Sequence, residues 1–189
     1  YKGVLYSLIT TFGIQTAVGK TSVVGKENKW TWKEFEETLR RYPGSVAFSE
    51  TEREPLLRRI LANTLSGYVD FNTNTCNFES EDFKSLLKLC STYPEKIDWD
   101  EYYSDYDYEN IRNDMKENRI LLSDTAIFSV DDAIYRLKDN EFEEDITFIG
   151  YPTSENEVGS SIYPSLEFAI WNNCAFKDVA FDFLKTLVE

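Results

Sequence analysis

From Val4 to Leu187, short apolar runs of strand length alternate with amphipathic runs of helical length, and no segment repeats. This alternation is the strongest constraint on the fold, because strands separated by helices build a sheet covered on both faces. The clearest helix lies in 30–42. There Trp32, Phe35, Leu39 and Tyr42 share a face, and Thr31 and Glu34 stand at capping-box spacing. Trp30 and Phe35 occupy the staple positions, and Pro43-Gly44 closes the helix. A second helix turns Leu56, Leu57, Ile60, Leu61 and Leu65 inward and stops near Gly67, with Ser49 and Glu52 spaced as another capping box. A third places Phe83, Leu86, Leu87 and Cys90 on one side. A short one covers Ile111 to Glu117, and a helix from Ser129 and Asp132 points Ala133, Ile134 and Leu137 inward.

Strands are expected at Ser45–Phe48, at Ile120–Leu122 with Ser123–Ser129 as its exit loop, and at Thr147–Ile149, with a small hairpin from Tyr68 to Phe78. Val4 to Val18 reads as a strand, an irregular turn carrying Thr11 and Phe12, and a second strand or short helix through Gln15. Gly13 lets the backbone bend sharply there or approach a ligand closely. The stretch from Gly150 to Leu187 has a consistent plan. Tyr151-Pro152 ends a strand, Val158-Gly159-Ser160-Ser161 turns, Ser165 to Trp171 forms a strand, and a helix follows from Cys174. Phe176, Val179, Ala180, Phe183, Leu184 and Leu187 share that helix's apolar face. Open α/β sheets build ligand clefts from such a unit, and an ordinary α/β core segment accounts for the same residues.

Composition narrows the chemistry. The chain has 189 residues, 42% of them hydrophobic and 15% aromatic, enough for one domain or slightly more with a real core. Its net charge of -14 repels nucleic-acid backbones and anionic lipids, so no nucleic-acid partner is expected. Histidine is absent, which removes the commonest general base and metal ligand. There is no phosphate loop, nucleophile elbow or zinc motif. Cys76, Cys90 and Cys174 are odd in number and lack metal spacing. Asp98, Asp100, Asp105 and Asp107 lack the glycine that a calcium loop needs at its bend, so they read as a solvated surface segment. Neither a cofactor nor a metal is expected. The chain opens at Tyr1 without a start methionine or signal peptide, and reads as part of a longer precursor.

Several pieces then fall into a known order: Thr-Thr-Phe-Gly-Ile-Gln (10–15), Thr-Trp-Lys-Glu-Phe (31–35), Cys-Asn-Phe-Glu-Ser-Glu-Asp-Phe (76–83), Ile-Leu-Leu (120–122), Ile-Gly-Tyr-Pro (149–152) and Ala-Phe-Asp-Phe-Leu (180–184). Together they resemble the family 1 extracellular solute-binding proteins of bacterial ABC importers, the maltose-binding-protein-like group, and most closely the sugar-binding lipoproteins of gut Firmicutes. The resemblance implies an α/β fold of the periplasmic-binding-protein-like (type II) class, a mixed sheet flanked by helices on both faces. It implies a crossing strand and cleft turn in 1–18, the second lobe in 19–164, and a return crossing strand and terminal helix of the first lobe in 165–189. It further implies a non-enzymatic role: binding a carbohydrate between lobes and delivering it to ABC permease subunits in the membrane, from an extracellular position held by a lipid anchor outside this chain. The positions it puts at the cleft are Thr10, Thr11, Phe12 and Gln15, then Ser49 and Glu50, then Phe128 as the stacking aromatic, then Tyr151, Ser161 and Tyr163. Where the family has a glutamate in the crossing turn, this chain has Gly13. Two alternatives stand beside this reading: a binding protein for a non-sugar solute such as a peptide, and a glycan-processing enzyme pairing Glu50 with an acid between Asp98 and Asp107.

Overall fold

The computed structural model describes residues 7–49, 51–104, 108–154 and 157–187. The chain runs β1 (Leu8–Lys20), α1 (Thr21–Val24), α2 (Trp32–Arg41), β2 (Val46–Phe48), α3 (Arg53–Thr64), a hairpin of β3 (Val69–Asp70) and β4 (Thr75–Cys76), then α4 (Glu81–Ser91), α5 (Trp99–Ser104) and α6 (Tyr108–Lys116). It continues through β5 (Ile120–Ile127), α7 (Val130–Lys138), β6 (Ile146–Phe148), β7 (Ser161–Phe168) and α8 (Lys177–Lys185). The main sheet is mixed. β1 is its spine, antiparallel to β5 along one edge. Its other edge is shared by β7, over Leu8 to Gln15, and β6, over Val18 to Lys20. β2 lies parallel to β5 at the outer edge. The expected α/β class with a mixed sheet is therefore observed.

α2 forms as its sequence dictates. The Thr31 hydroxyl accepts the Glu34 amide at 3.3 Å, and the Glu34 carboxylate accepts the Thr31 amide at 2.7 Å. That reciprocal pair satisfies two amides that a helix start leaves open, and the Thr31 amide holds the Glu34 carboxyl below its usual range. Trp30 meets Phe35 edge-on at 5.2 Å, which pins the chain entering the helix.

The buried apolar residues form two clusters, and Ala17 and Val18, neighbours on β1 whose side chains point to opposite faces, belong to different ones. The larger packs Trp32, Phe35, Phe48, Leu56, Ile60 and Leu86 around Tyr151. The smaller gathers Val18, Met115, Ile120, Phe142 and Ile146. At its margin Lys20 is buried, and its ammonium donates to the Lys116 carbonyl at 2.6 Å and to Glu144 at 2.8 Å. Those two acceptors offset the loss of water around the charge.

The structure corrects several local expectations. Residues 8–20 form one continuous strand, and the expected turn at Thr11 and Phe12 is a pair of bulges. One extra residue, Thr10, sits on β1 and another, Ser165, on β7, beside Pro164, which has no amide to give the ladder. The expected exit loop after Leu122 is strand as far as Ile127. β7 runs over Ser161–Phe168 rather than Ser165 to Trp171, so the 164/165 divide falls inside a strand. Glu52 caps α3 without a side-chain bond to the helix, and its carboxylate accepts the Ile97 amide at 3.0 Å instead. On α4 Leu89 is buried where Leu87 was expected. The apolar face of α7, expected inward, is largely exposed, and so is the apolar face of α8: Ile134, Leu137, Phe176, Val179 and Phe183 all face solvent.

Candidate ligand-binding face

The register of three strands builds the site. Antiparallel partners share a face, so Gly13 and Tyr163 point the same way, as do Gln15 with Ala126 and Ser161, and Ala17 with Asp124. Ile14 pairs with Ile127, and one step further Phe128 falls beside Gly13. An outer row of Phe128, Gly13 and Tyr163 thus lies next to an inner set made of Gln15 and Ser161, in the next row, and Asp124, one row beyond them opposite Ala17. The Phe128 and Tyr163 rings meet edge-on over the glycine, with centroids 6.4 Å apart and planes at 73°. Both rings keep about half their surface exposed.

The inner set is a closed polar network. Gln15 donates its side-chain amide to Asp124 Oδ1 at 2.7 Å, and the Tyr151 hydroxyl donates to the same oxygen. Arg59 Nε, from α3, meets Asp124 Oδ2 at 3.0 Å. One helical turn on, Asn63 Oδ1 accepts the Ser161 hydroxyl at 2.7 Å. Tyr151 is fully buried against Phe48, ring centroids 5.8 Å apart. Burial, and then the Asp124 charge, raise its phenol far above the usual range, as suits a hydroxyl that donates to a carboxylate. Tyr151 therefore supports the face from beneath, while Asp124, Arg59, Gln15 and Ser161 are partly open to solvent.

Such a face can do two things. An exposed ring covers apolar C–H surface, and the adjoining carboxylate, amide, guanidinium and hydroxyl exchange hydrogen bonds with hydroxyl groups. Arg59 and Asp124 cancel each other's charge, which suits an uncharged polyol better than an ion. Among the described residues no cluster of three or more His, Cys, Asp or Glu could hold a metal.

The other sequence candidates divide. Thr10, Thr11 and Phe12 line an apolar groove of about 760 Å³ with Ile14, Val130 and Ala133, and Phe128 is part of its lining too. Phe12 and Ile14 belong to the strand face opposite Gly13 and Gln15. Ser49 is half-buried and follows Phe48, whose parallel partner is Leu122, so it lies at the end of the sheet toward which Asp124 points. Glu50 lies outside the described residues, as do Asp105 and Asp107. The sequence reading missed Asp124, Arg59 and Asn63. A carboxylate between Leu122 and Ile127 was the available signal for the first, and Arg59 and Asn63, four apart on the polar side of α3, for the others.

No protein-family model matches the chain, and no curated protein matches it in sequence. Solved structures do match its fold, each over the whole chain or nearly so. One is an ABC transporter solute-binding protein from Thermotoga lettingae bound to α-D-tagatose, at TM-score 0.51 and 13% identity, with the match covering 100% of this chain and 51% of that one. Another is the GacH receptor of Streptomyces glaucescens, solved without ligand and with acarbose, at TM-score 0.53 and 13% identity, covering 100% of this chain and 50% of that one. The sugar-binding protein MalE of Xanthomonas citri gives TM-score 0.53 and 14% identity with the same coverage. The fold is thus that of a lobe of the type II periplasmic-binding-protein-like class, in agreement with the resemblance read from the sequence. The chain spans about half the length of each of these structures.

Proposed function

We propose that this chain supplies one wall of a carbohydrate-binding cleft in a substrate-binding component of an ABC importer, and that it has no catalytic role. The observation that carries the reading is the aromatic pair, Phe128 and Tyr163, set one register step from the Gln15, Asp124, Arg59 and Ser161 network. The place in the fold supports it: both Phe128 and Asp124 lie toward the C-terminal ends of β2 and β5, where α/β sheets hold their ligands. The fold neighbours support it too, since two of them are a solute-binding and a sugar-binding protein by name and the third is a receptor solved in complex with acarbose.

In this proposal the remaining wall comes from a second lobe, closing by hinge motion about β1 and β7. Delivery to permease subunits, an extracellular position and a lipid anchor belong to the same proposal. The exposed apolar residues of α8 and of the 168–176 segment, Trp171 and Phe176 among them, are then surface that the rest of such a protein covers.

The test is a thermal-shift panel on a full-length parent protein, with neutral mono- and oligosaccharides, amino acids and short peptides. A ligand that binds only the folded state raises the melting temperature by mass action, by about 2.7 kcal/mol of stability at a hundredfold excess over Kd. The expected result is a shift with one class of neutral sugar. A shift with peptides or amino acids alone would keep the fold and overturn the cargo. Hydrolysis of an activated glycoside would overturn the non-enzymatic reading.

A further inference from the structure

We infer that Gly13 is a positioning residue for the ligand, its missing side chain being what allows the Phe128 ring to lie flat on β1 as a stacking platform. The inference rests on the carbohydrate reading above. A Cβ built on Gly13 would stand 2.8 Å from both Cδ1 and Cε1 of Phe128 and 3.0 Å from the Ile127 carbonyl oxygen. Any other residue therefore drives the ring off the strand. Backbone conformation does not require a glycine here: the position lies within regular strand, outside the bulges at Thr10 and Ser165, and its φ is not positive; the tightest contacts that a Cβ would make are with the Phe128 ring, ahead of the Ile127 oxygen. A glycine inside a strand weakens it unless something packs on the space it leaves, and here the ring of Phe128 does.

The backbone of Phe128 is fixed independently, because its amide donates to Asp132 Oδ2 at 3.2 Å in the first turn of α7. Cδ1 and Cε1 of the ring thus rest against Gly13, Tyr163 meets the ring edge-on, and about half of its surface remains exposed. On the same face of the sheet the next row along carries Gln15 and Ser161, paired with each other. A flat apolar surface beside hydrogen-bonding groups takes one pyranose ring, its C–H face on Phe128 and its edge hydroxyls toward the polar row. Gly13 then decides whether this subsite exists.

The experiment is a double-mutant cycle on Gly13→Ala and Phe128→Ala, with affinity for maltotriose, cellotriose and chitotriose measured by calorimetry and stability by melting. Gly13→Ala is expected to fold, since the obstructing ring is an exposed side chain that can swing away. It is expected to weaken binding about tenfold, the scale of one aromatic contact. Phe128→Ala should lose as much, and the double variant no more than either alone. Wild-type affinity in Gly13→Ala, or losses that multiply in the double variant, would overturn the proposal. A second readout needs no sugar: in the wild type the Gly13 α-protons should be shifted upfield by the overlying ring, and Phe128→Leu should abolish the shift. Absence of that shift overturns the platform itself. The shift with no binding of any trisaccharide leaves the packing standing and overturns the ligand assignment together with the carbohydrate reading. If Gly13→Ala does not fold while Phe128→Ala does, the glycine is structural and the positioning role falls.

Discussion

Gly159→Ala is expected to be the most damaging single substitution in the chain, lowering stability by about 3–4 kcal/mol and the melting temperature by roughly 10 °C. A Cβ at this position would stand 1.8 Å from the Tyr151 carbonyl oxygen, 2.7 Å from its carbonyl carbon and 2.8 Å from its nitrogen. All three are backbone atoms, so no rotamer change relieves the contact. Nor can the Gly150–Tyr151 backbone retreat. The Gly150 amide donates to the Ala17 carbonyl at 3.0 Å, its carbonyl accepts the Trp30 indole at 3.0 Å, and the Tyr151 amide donates to the Gly159 carbonyl at 2.7 Å. Gly150 itself has φ +76°, and its own Cβ would meet Gly159 at 2.9 Å. Two glycines are needed because two backbone segments touch. Pulling them apart also moves Tyr151, and with it the hydroxyl that holds Asp124. A variant melting within 2 °C of the wild type would show that this crossing is looser than described.

The second large effect is expected at Asp124. Asp124→Ala removes at once the acceptor of Gln15, of the buried Tyr151 hydroxyl and of Arg59. The cost is about 2–3 kcal/mol, most of it from the phenol left unpaired in the core, since Arg59 is about a third exposed and water can take over part of its bonding. Asp124→Asn separates the terms. It keeps an oxygen for the tyrosine and gives up the charge opposite Arg59, so it should cost less than half as much as the alanine variant. The alanine variant is expected to abolish detectable sugar binding, because Gln15 and Arg59 lose the group that orients them, and the asparagine variant to weaken it less, because the oxygen that accepts Gln15 is kept and only the partner of Arg59 is lost. Equal melting temperatures for the alanine variant and the wild type would mean that the network contributes nothing to the fold.

What the sequence disclosed and what it concealed follow from range. α2 was legible because its capping box and staple lie within six residues, 30–35, and local rules suffice. β5 was only half legible. Ser123, Asp124 and Thr125 are polar and read as a loop, yet they pair with Val18, Ala17 and Thr16 of the central strand. Asp124 is accommodated there because Gln15, Arg59 and Tyr151 supply its hydrogen bonds from three other elements. The site was harder still. Gln15, Phe128, Ser161 and Tyr163 were each recognisable as candidates, but their convergence depends on the pairing of segments more than a hundred residues apart, which no periodicity encodes. The helical spacing on α7 and α8 correctly marked an apolar face; spacing says that a face is apolar and not what covers it.

The most direct test of the account is an amide NMR titration of this chain with maltotriose, carried to millimolar concentration so that weak binding registers. The predicted result is a compact set of shifted resonances at Gly13, Gln15, Asp124, Phe128, Ser161 and Tyr163, with Arg59 and Asn63 responding beside them. Shifts confined to the opposite groove, at Thr10, Ile14, Val130 and Ala133, would contradict it, as would no shift at all with any neutral sugar.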